Sequence, residues 1–292
     1  MTDYMKLLEE ADSIQETKII KAPFGWAGGK FKNAKYILPE LPYRKGYCEP
    51  FAGSASILLL REPSQFEVLN DRYSGITDFY MALAQDHEGL VKRLDLTIHS
   101  REYWQICKDT WQDQKDPLER AVRWFVSVRY SFAQLGRNFG RDTNLPVSPM
   151  AGKIIRQLPE FKQIHERLRN VQIENLDYRD CIIDYDDDDM VFYCDPPYIG
   201  VHPNTYDYEQ INHERFLNLV FKSNGFFAVS GYPNELYDSY PWDDKYTWDD
   251  IKMVQALAYS DKNYRSGKEG QFTRETSQEV LYIKEAHAWR QK

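Results

Sequence analysis

The stretch MVFYCDPPYIG, residues 190–200, decides the predicted fold, because a strand-like run leads directly into an acid, two prolines and a tyrosine. Met190–Cys194 have the apolar and aromatic side chains of a buried strand. Asp195 follows at the carboxyl end of that strand, the place where open parallel sheets bind ligands. Because Pro196 and Pro197 have no backbone N–H, this strand end offers oxygen acceptors rather than donors.

Hydrogen-bond acceptors beside an aromatic ring are suited to binding a planar aromatic amine. The Asp195 carboxylate and the two proline carbonyls would accept hydrogen bonds from an amino group, and Tyr198 offers a flat face for stacking. A strand followed by a stiff turn without any ligand explains these four residues equally well, since such short matches recur by chance.

Two further stretches have features of a nucleoside-binding site. In YCEPFAGSAS, residues 47–56, Glu49 ends a predicted strand, and Gly53 allows the backbone to approach a ligand closely. Asp71 ends the next predicted strand, where an acid can bond ribose hydroxyls or can simply cap a helix. In KAPFGWAGGK, residues 21–30, Trp26 and Lys30 flank paired glycines. That segment could wall off a cofactor or form a surface turn around a buried tryptophan.

Alternating strands and helices predict an α/β layered fold with a largely parallel sheet. The predicted strands are 46–51, 66–71, 190–194, 225–231, 252–260 and 279–284. Helical spacing is present at 54–63 and at 212–225, where Asn212 is a good N-cap and Gly225 a good C-cap.

Residues 75–170 interrupt this alternation. They predict helices at 75–94, 100–114 and 116–132, the last capped by Asp116 with Pro117 at its first position. A loop rich in glycine and proline follows at 133–152. A helical insertion with an irregular loop is therefore the predicted second lobe.

Composition limits the class of protein. The 292 residues are 42% hydrophobic, with no apolar run near the ~20 residues that cross a bilayer. The four cysteines lie far apart, which argues against a zinc site or a disulfide framework. The N-terminus is too acidic for a signal peptide, so we expect a soluble intracellular, cytoplasmic protein.

The net charge of −8 conceals two basic regions. Residues 120–170 contain ten Lys and Arg against three Asp and Glu, and residues 18–45 contain seven against one. A polyanion responds to charge within a Debye length of about 8–10 Å rather than to the total. These regions could bind nucleic acid or could be solvated helix faces.

Taken in order, FGWAGGK, EPFAGSAS, VLND, a helical insertion and DPPY resemble the Dam-type adenine-N6 DNA methyltransferases of the alpha arrangement. The similarity extends from about residue 20 to residue 285. It implies a Rossmann-like sheet that binds S-adenosylmethionine and a mainly helical target-recognition insertion. The catalytic domain would comprise 20–74 and 171–286, and the target-recognition domain would comprise 75–170.

The resemblance also implies residue roles. The catalytic residues would be Asp195, Pro196, Pro197 and Tyr198. The cofactor-binding residues would be Trp26, Lys30, Glu49, Pro50, Phe51, Ala52, Gly53, Asp71, Asp177, Tyr178 and Asp195. The candidates for DNA contact are Arg129, Arg137, Asn138, Arg141 and Asn144.

The implied reaction moves a methyl group from S-adenosylmethionine to N6 of an adenine flipped out of double-stranded DNA, without a metal ion. GATC is the site implied by default, although Ala133 and Gln134 replace the family's usual asparagine–glycine pair. A cognate restriction endonuclease is a further partner that the resemblance leaves open.

Two other classes of function stay open at this point. The same fold could methylate cytosine N4, RNA or a protein glutamine, or the chain could be an inactive DNA-binding module. An aspartate before the two prolines, together with the motif order, favours adenine; a serine there would favour cytosine N4.

Overall fold

A computed structural model describes residues 19–26, 28–141, 150, 152–199, 211–253 and 274–287. Within these residues the chain divides into two compact units. The first comprises the described residues up to Ala34, with Gly53–Pro63 and Gly75–Val171. The second comprises Lys35–Ala52, Ser64–Ser74 and the described residues from Gln172 onwards.

A sheet of seven strands lies almost wholly in the second unit. The strands are β1 (Gly46–Glu49), β2 (Phe66–Asn70), β3 (Val171–Glu174), β4 (Met190–Cys194), β5 (Phe226–Gly231), β6 (Asp244–Met253) and β7 (Arg274–Lys284). Their order in the sheet is β3-β2-β1-β4-β5-β7-β6. Strand β1 pairs in parallel with β2 and β4, and β4 pairs in parallel with β5, whereas β7 runs antiparallel between β5 and β6. The prediction of an α/β fold with a largely parallel sheet is confirmed.

Every residue of β1, β4 and β5 is buried, as expected for central parallel strands covered on both faces. Cys48, Phe192 and Val229 lie in one hydrophobic cluster with the apolar sides of the helices that follow β3 and the fourth strand, including Ile182 and Phe216. This rigid core fixes where the carboxyl ends of the strands stand.

Ten α-helices accompany the strands in the described residues. They are α1 (Ala34–Ile37), α2 (Ser56–Leu60), α3 (Ser74–Gln85), α4 (His87–Asp95), α5 (Arg101–Thr110), α6 (Pro117–Arg129), α7 (Phe161–Leu168), α8 (Tyr178–Tyr185), α9 (His213–Lys222) and α10 (Glu235–Asp238). Short 3-10 turns occupy Leu38–Glu40, Phe132–Gln134 and Ile155–Glu160. No helix in the parts of the chain that the structure describes is long and apolar enough to cross a membrane.

The first unit is built from helices around an aromatic core. Phe79 of α3 stacks on Phe125 of α6 with ring centroids 4.6 Å apart, and Phe161 of α7 meets both rings edge to face. Trp124 contacts Phe24, which lies in the segment before α1. The described residues around Phe24 therefore pack within this helical unit.

Several helix ends agree with the sequence, and two differ. Ser100, Asp116 and Asn212 each accept a backbone N–H as N-caps. The single helix predicted at 75–94 is two helices, because the Asp86 side chain accepts the Gly89 N–H and begins α4. Helix α9 ends with Ser223 as its C-cap, two residues before the predicted Gly225.

Two strands differ from prediction. Strand β3 was not expected, and β6 begins at Asp244, eight residues before the strand predicted at 252–260. Residues 254–260 of that prediction lie outside the described residues. Both β3 and β6 stand at the ends of the strand order, and their sequences are more polar than those of the central strands.

Candidate active site

The predicted acids meet at one edge of the sheet. Because β1, β2 and β4 are mutually parallel, their carboxyl ends point the same way, and they end at Glu49, Asn70–Asp71 and Cys194–Asp195. The strand order reverses between β1 and β4. Strands β2 and β3 are added on one side of β1, and the chain then returns to place β4 and β5 on the other side. Ligands of open α/β sheets bind in the crevice at such a reversal.

The DPPY segment leaves β4 at this reversal. Pro196 is buried, while Asp195, Pro197 and Tyr198 are half-buried. One carboxylate oxygen of Asp195 is buried. The Tyr198 hydroxyl donates a hydrogen bond of 2.8 Å to Glu279 on β7. Burial and the negative charges of Asp195 and Glu279 raise the pKa of Tyr198 well above its usual value, so the hydroxyl stays protonated.

A buried asparagine forms hydrogen bonds with the turn that follows β1. Asn70, the last residue of β2, is fully buried. Its amide donates to the Pro50 carbonyl at 2.9 Å and to the Leu176 carbonyl at 3.2 Å, and its oxygen accepts the Leu176 N–H at 2.8 Å. Asn70 thus ties the ends of β1 and β2 to the segment that leads into α8.

Two carboxylates at this edge are already oriented by the protein. Glu49 is buried and accepts the Tyr47 hydroxyl at 2.7 Å. Asp71 accepts the Tyr73 N–H at 2.8 Å, and its own carbonyl accepts Asn175 at 2.7 Å. The hydrogen bond from the Tyr73 N–H to Asp71 closes a turn just before α3 begins at Ser74.

Asp177 and Tyr178 lie at the start of α8. Asp177 is the N-cap, and it also forms ion pairs with Arg179 at 2.7 Å and Arg72 at 3.4 Å. Partial burial opposes ionisation of Asp177, but the hydrogen bonds from Arg179 and the two positive charges outweigh it and lower the pKa. The Tyr178 ring stacks on Phe51 with centroids 5.2 Å apart. The turn after β1 and the start of α8 therefore share one aromatic surface.

In the first unit, the FGWAGGK segment meets the small-residue turn before α2. Gly53 has a φ of +51°, and a Cβ there would lie 2.9 Å from the Trp26 ring. Ala55 also has a positive φ, a conformation that is costly for a residue other than glycine and that is enriched at functional sites. The Lys30 ammonium donates to the Gly28 carbonyl at 2.6 Å.

The segment after α6, in the first unit, forms a closed loop. Ser131 and Phe139 form an antiparallel bridge, the Phe132 N–H donates to the Asn138 carbonyl at 2.7 Å, and the Gly136 N–H donates to the Ser131 hydroxyl at 2.7 Å. The loop presents Phe132, whose side chain is 54% exposed.

The predicted DNA-contacting residues have different settings. Arg137 lies inside the closed loop and is half-buried, whereas Asn138 and Arg141 are exposed. Arg129 donates to the Gln134 side chain at 2.6 Å, and burial lowers its pKa to about 10. Gln134 in turn accepts the Gly25 N–H at 2.9 Å, so both residues make protein contacts. Asn144 lies outside the described residues.

No group of three or more His, Cys, Asp or Glu is arranged to hold a metal ion in the described ranges. The four cysteines are buried free thiols.

Comparison with known proteins identifies the family. The family model described as "D12 class N6 adenine-specific DNA methyltransferase" matches residues 26–267. The chain belongs to this family. Among its relatives, "DNA adenine methylase" of Escherichia coli (strain K12) is 28% identical over 207 residues, which cover 64% of this chain and 72% of the relative. The Salmonella typhi enzyme of the same name is 31% identical over 184 residues, 59% of this chain and 63% of the relative.

Membership confirms the resemblance, the Rossmann-like fold class and the activity class, which is adenine-specific methylation of DNA. Adenine methyltransferases of this kind generally use S-adenosylmethionine. The roles of individual residues, the domain roles and the GATC site stay predictions.

Sequence inspection gave no role to three residues that contact the candidate site residues. Asn70 lies within the VLND motif, and Tyr232 follows the strand predicted at 225–231. Tyr232 packs edge to face against Tyr198, with centroids 4.6 Å apart and planes at 81°. Glu279 was treated as the polar first residue of a strand, although it is 5% exposed. A charged residue next to the apolar run VLYI could have raised the question of a buried, paired acid.

Proposed function

We propose that this methyltransferase holds the target adenine at Asp195, Pro196, Pro197 and Tyr198 and binds S-adenosylmethionine beside them at the carboxyl ends of β1 and β2. The observation that carries the proposal is the position of Glu49, Asp71 and Asp195 at one sheet edge around the reversal of strand order. Such a crevice is where α/β sheets bind nucleoside-containing ligands.

The donor and acceptor set of the second unit fits the cofactor. Asp71 offers carboxylate oxygen for ribose hydroxyls, half-buried Phe51 with Tyr178 stacked on it offers an aromatic face for a planar base, and Glu49 contributes a buried carboxylate. When bound, S-adenosylmethionine supplies an electrophilic methyl group on a positively charged sulfonium. Negative charge at this edge suits that cation.

The other cofactor residues implied by the family resemblance are Pro50, Ala52 and Asp177 in the second unit, and Trp26, Lys30 and Gly53 in the first. The Gly53 conformation leaves no room for a side chain against Trp26, which is typical of a position where backbone shape matters. The contacts of all six with the cofactor stay proposals.

Asp195 and the Pro196 carbonyl would accept hydrogen bonds from the two hydrogens of the adenine amino group. Two acceptors on one nitrogen fix its orientation, and holding reactants in attack geometry is a large source of rate acceleration. The amino nitrogen loses a proton after transfer, and the Asp195 carboxylate beside it could accept that proton. Removal of the base from the duplex costs a few kcal/mol, which binding of the base against Tyr198 would offset.

The closed loop after α6 is proposed to contact DNA. Residues 120–170 have a local excess of seven positive charges, which favours a polyanion. Arg137 and Asn138 lie in the loop, and Arg141 follows it. Phe132, exposed on the same loop, has an aromatic face that can stack on a base.

The test of the proposed function is Asp195→Ala. We expect loss of at least about a hundredfold in the single-turnover rate of methyl transfer to DNA, because removal of an oriented polar group at a reacting centre costs that order. Binding of S-adenosylmethionine, measured by calorimetry, should change much less. The matched control is Asp184→Ala, which removes an exposed carboxylate from α8.

Labelled S-adenosylmethionine and mixed-sequence duplex DNA, followed by sequencing of the modified bases, would give the recognition site and test GATC. A normal rate for Asp195→Ala would contradict the assignment. Wild-type protein that binds DNA without modifying it would instead support the inactive DNA-binding module.

A further inference from the structure

A buried acid on β7 faces the DPPY segment from across the sheet edge. Glu279 is 5% exposed, and its side chain accepts the Tyr198 hydroxyl at 2.8 Å. The register explains its position: Val280 pairs with Gly231, the last residue of β5, so Glu279 stands at the same sheet edge as the carboxyl end of β5. A residue 81 positions away in sequence thus reaches the end of the DPPY motif.

Tyr198 is held at two points. Its hydroxyl is bonded to Glu279, and its ring meets Tyr232 edge to face. On the other side of β7, Trp248 of β6 pairs with Glu279 in register and is itself buried. Glu279 therefore sits in a packed setting that leaves its carboxylate little freedom to move.

A tyrosine ring without these contacts could rotate about two side-chain torsions. The hydrogen bond from the Tyr198 hydroxyl to Glu279 fixes the ring by its far end. Because burial and the charges of Asp195 and Glu279 keep Tyr198 protonated, the donor is present throughout the neutral pH range.

We infer that Glu279 is a positioning residue for methyl transfer: its carboxylate fixes the Tyr198 hydroxyl and thereby sets the plane of the ring against which the target adenine stacks. The inference rests on the proposed role of Tyr198 in the site. Glu279 makes no contact with the base in this scheme and acts only through Tyr198.

Two substitutions of Glu279 separate the effect of its acceptor oxygen from the effect of its charge. Glu279→Gln keeps an acceptor oxygen in a side chain of nearly the same shape, whereas Glu279→Leu removes the acceptor and keeps the volume. Tyr198→Phe removes the donor and keeps the ring. If the hydrogen bond is the function of Glu279, Glu279→Leu and Tyr198→Phe remove the same interaction, and their combination should cost no more than either alone.

The experiment measures single-turnover methyl transfer on duplex DNA containing the site mapped for the wild-type enzyme. We expect Glu279→Leu and Tyr198→Phe each to lower the rate roughly tenfold or more, the usual effect of removing a hydrogen bond and leaving a buried polar partner. The double variant should fall no further, and Glu279→Gln should recover most of the rate. The dissociation constant of S-adenosylmethionine should stay within about twofold, since these residues position the base rather than the cofactor.

A spectroscopic readout separates positioning from general damage. With 2-aminopurine in place of the target adenine, fluorescence in the complex reports the stacking of the extruded base. Glu279→Leu and Tyr198→Phe should change that fluorescence in the same direction, and Glu279→Gln should leave it near the wild-type value. Gln278→Ala, at the exposed neighbouring position of β7 whose side chain points to the opposite face, is the matched control and should alter neither readout.

The outcomes separate this inference from the proposed function. If Asp195→Ala is inactive while Glu279→Leu transfers methyl at the wild-type rate, or if the two losses multiply in the double variant, the positioning role is wrong and the site assignment stands. If Asp195→Ala is itself active, the site assignment fails first. If Glu279→Leu does not fold, Glu279→Gln and Tyr198→Phe still test the positioning role. A tenfold lower transfer rate in Glu279→Gln together with a wild-type rate in Tyr198→Phe would overturn it.

Discussion

Replacement of Asn70 by alanine is the sharpest test of how the site is assembled. The Asn70 side chain is fully buried and makes three hydrogen bonds, to the carbonyls of Pro50 and Leu176 and from the N–H of Leu176. Alanine leaves all three backbone groups without that partner in the interior. At about 1 kcal/mol for each lost bond, the free energy of unfolding should fall by about 3 kcal/mol. That is a large part of the 5–15 kcal/mol typical of a folded protein.

The same substitution should weaken the cofactor site selectively. Pro50 lies in the turn proposed to cradle S-adenosylmethionine, and Leu176 leads into the Asp177 cap of α8. We expect urea unfolding to show the loss of stability and calorimetry to show weaker S-adenosylmethionine binding at temperatures where the variant is folded. Asn218→Ala is the control, because Asn218 is exposed and makes one hydrogen bond, to Tyr240; its cost should be within about 0.5 kcal/mol.

Asn70→Asp adds a pH test to the same argument. The carboxylate keeps an acceptor for the Leu176 N–H but faces two carbonyl oxygens where the amide donated. Its folded-state pKa should therefore lie above the unfolded value of about 3.9. The cost relative to wild type should grow as the pH rises through the window above that value and shrink as the pH falls. A variant equally stable to wild type at neutral pH, or an Asn70→Ala protein within the error of wild type, would refute the reasoning.

Two other predictions concern DNA contact and pH. Arg137→Ala should relax sequence discrimination by about 1–3 kcal/mol, and Arg137→Lys should not restore it, because the planar guanidinium fork presents paired donors to a guanine edge and a lysine ammonium does not. Uniform weakening on all sequences, with a smaller salt slope, would indicate a phosphate contact instead. His213 bonds the Tyr237 hydroxyl at 2.9 Å, and burial lowers its pKa to about 4. As the pH falls, His213 is protonated in the unfolded chain before it is protonated in the folded protein. The stability due to neutral His213 is therefore complete above about pH 6.5 and is lost as the pH falls towards 4, by up to about 3 kcal/mol. Urea unfolding of wild type and His213→Gln across this range should show the difference, and parallel pH curves would contradict it.

The sequence predicted the centre of the sheet better than its margins, for a physical reason. Central strands such as β4 and β5 are buried on both faces, so their sequences are continuous apolar runs that end sharply at an acid or glycine. The two strands that were missed or misplaced, β3 and β6, are the outermost in the order. Edge strands tolerate and even favour charged residues that discourage pairing with other chains, and β6 contains three aspartates and two lysines. A polar edge strand resembles a loop in sequence.

The same contrast applies to the site. Asp71 and Asp195 could be predicted because each follows its own strand directly, so a local pattern fixes both the residue and its place on the sheet edge. Asn70, Tyr232 and Glu279 could not, since their roles depend on partners brought close only by folding: Asn70 bonds Leu176 across 106 positions, and Glu279 bonds Tyr198 across 81. No local spacing specifies such pairs.

The three residues that the sequence did not reveal share a structural role, because each contacts and orients a residue or turn of the candidate site. Asp195 and Tyr198 stand on a segment with two prolines, which fixes the backbone but leaves the side chains to be oriented by neighbours. The orienting groups come from other strands: Glu279 from β7 and Tyr232 from the end of β5 bear on Tyr198, while Asn70 from β2 bears on the turn after β1. A site whose geometry must hold to a fraction of an ångström needs such supporting contacts. It follows that substitutions of Glu279 should lower the rate of transfer more than they weaken S-adenosylmethionine binding, substitutions of Asn70 should weaken that binding, and loss of Asp195 should lower the rate by at least about a hundredfold.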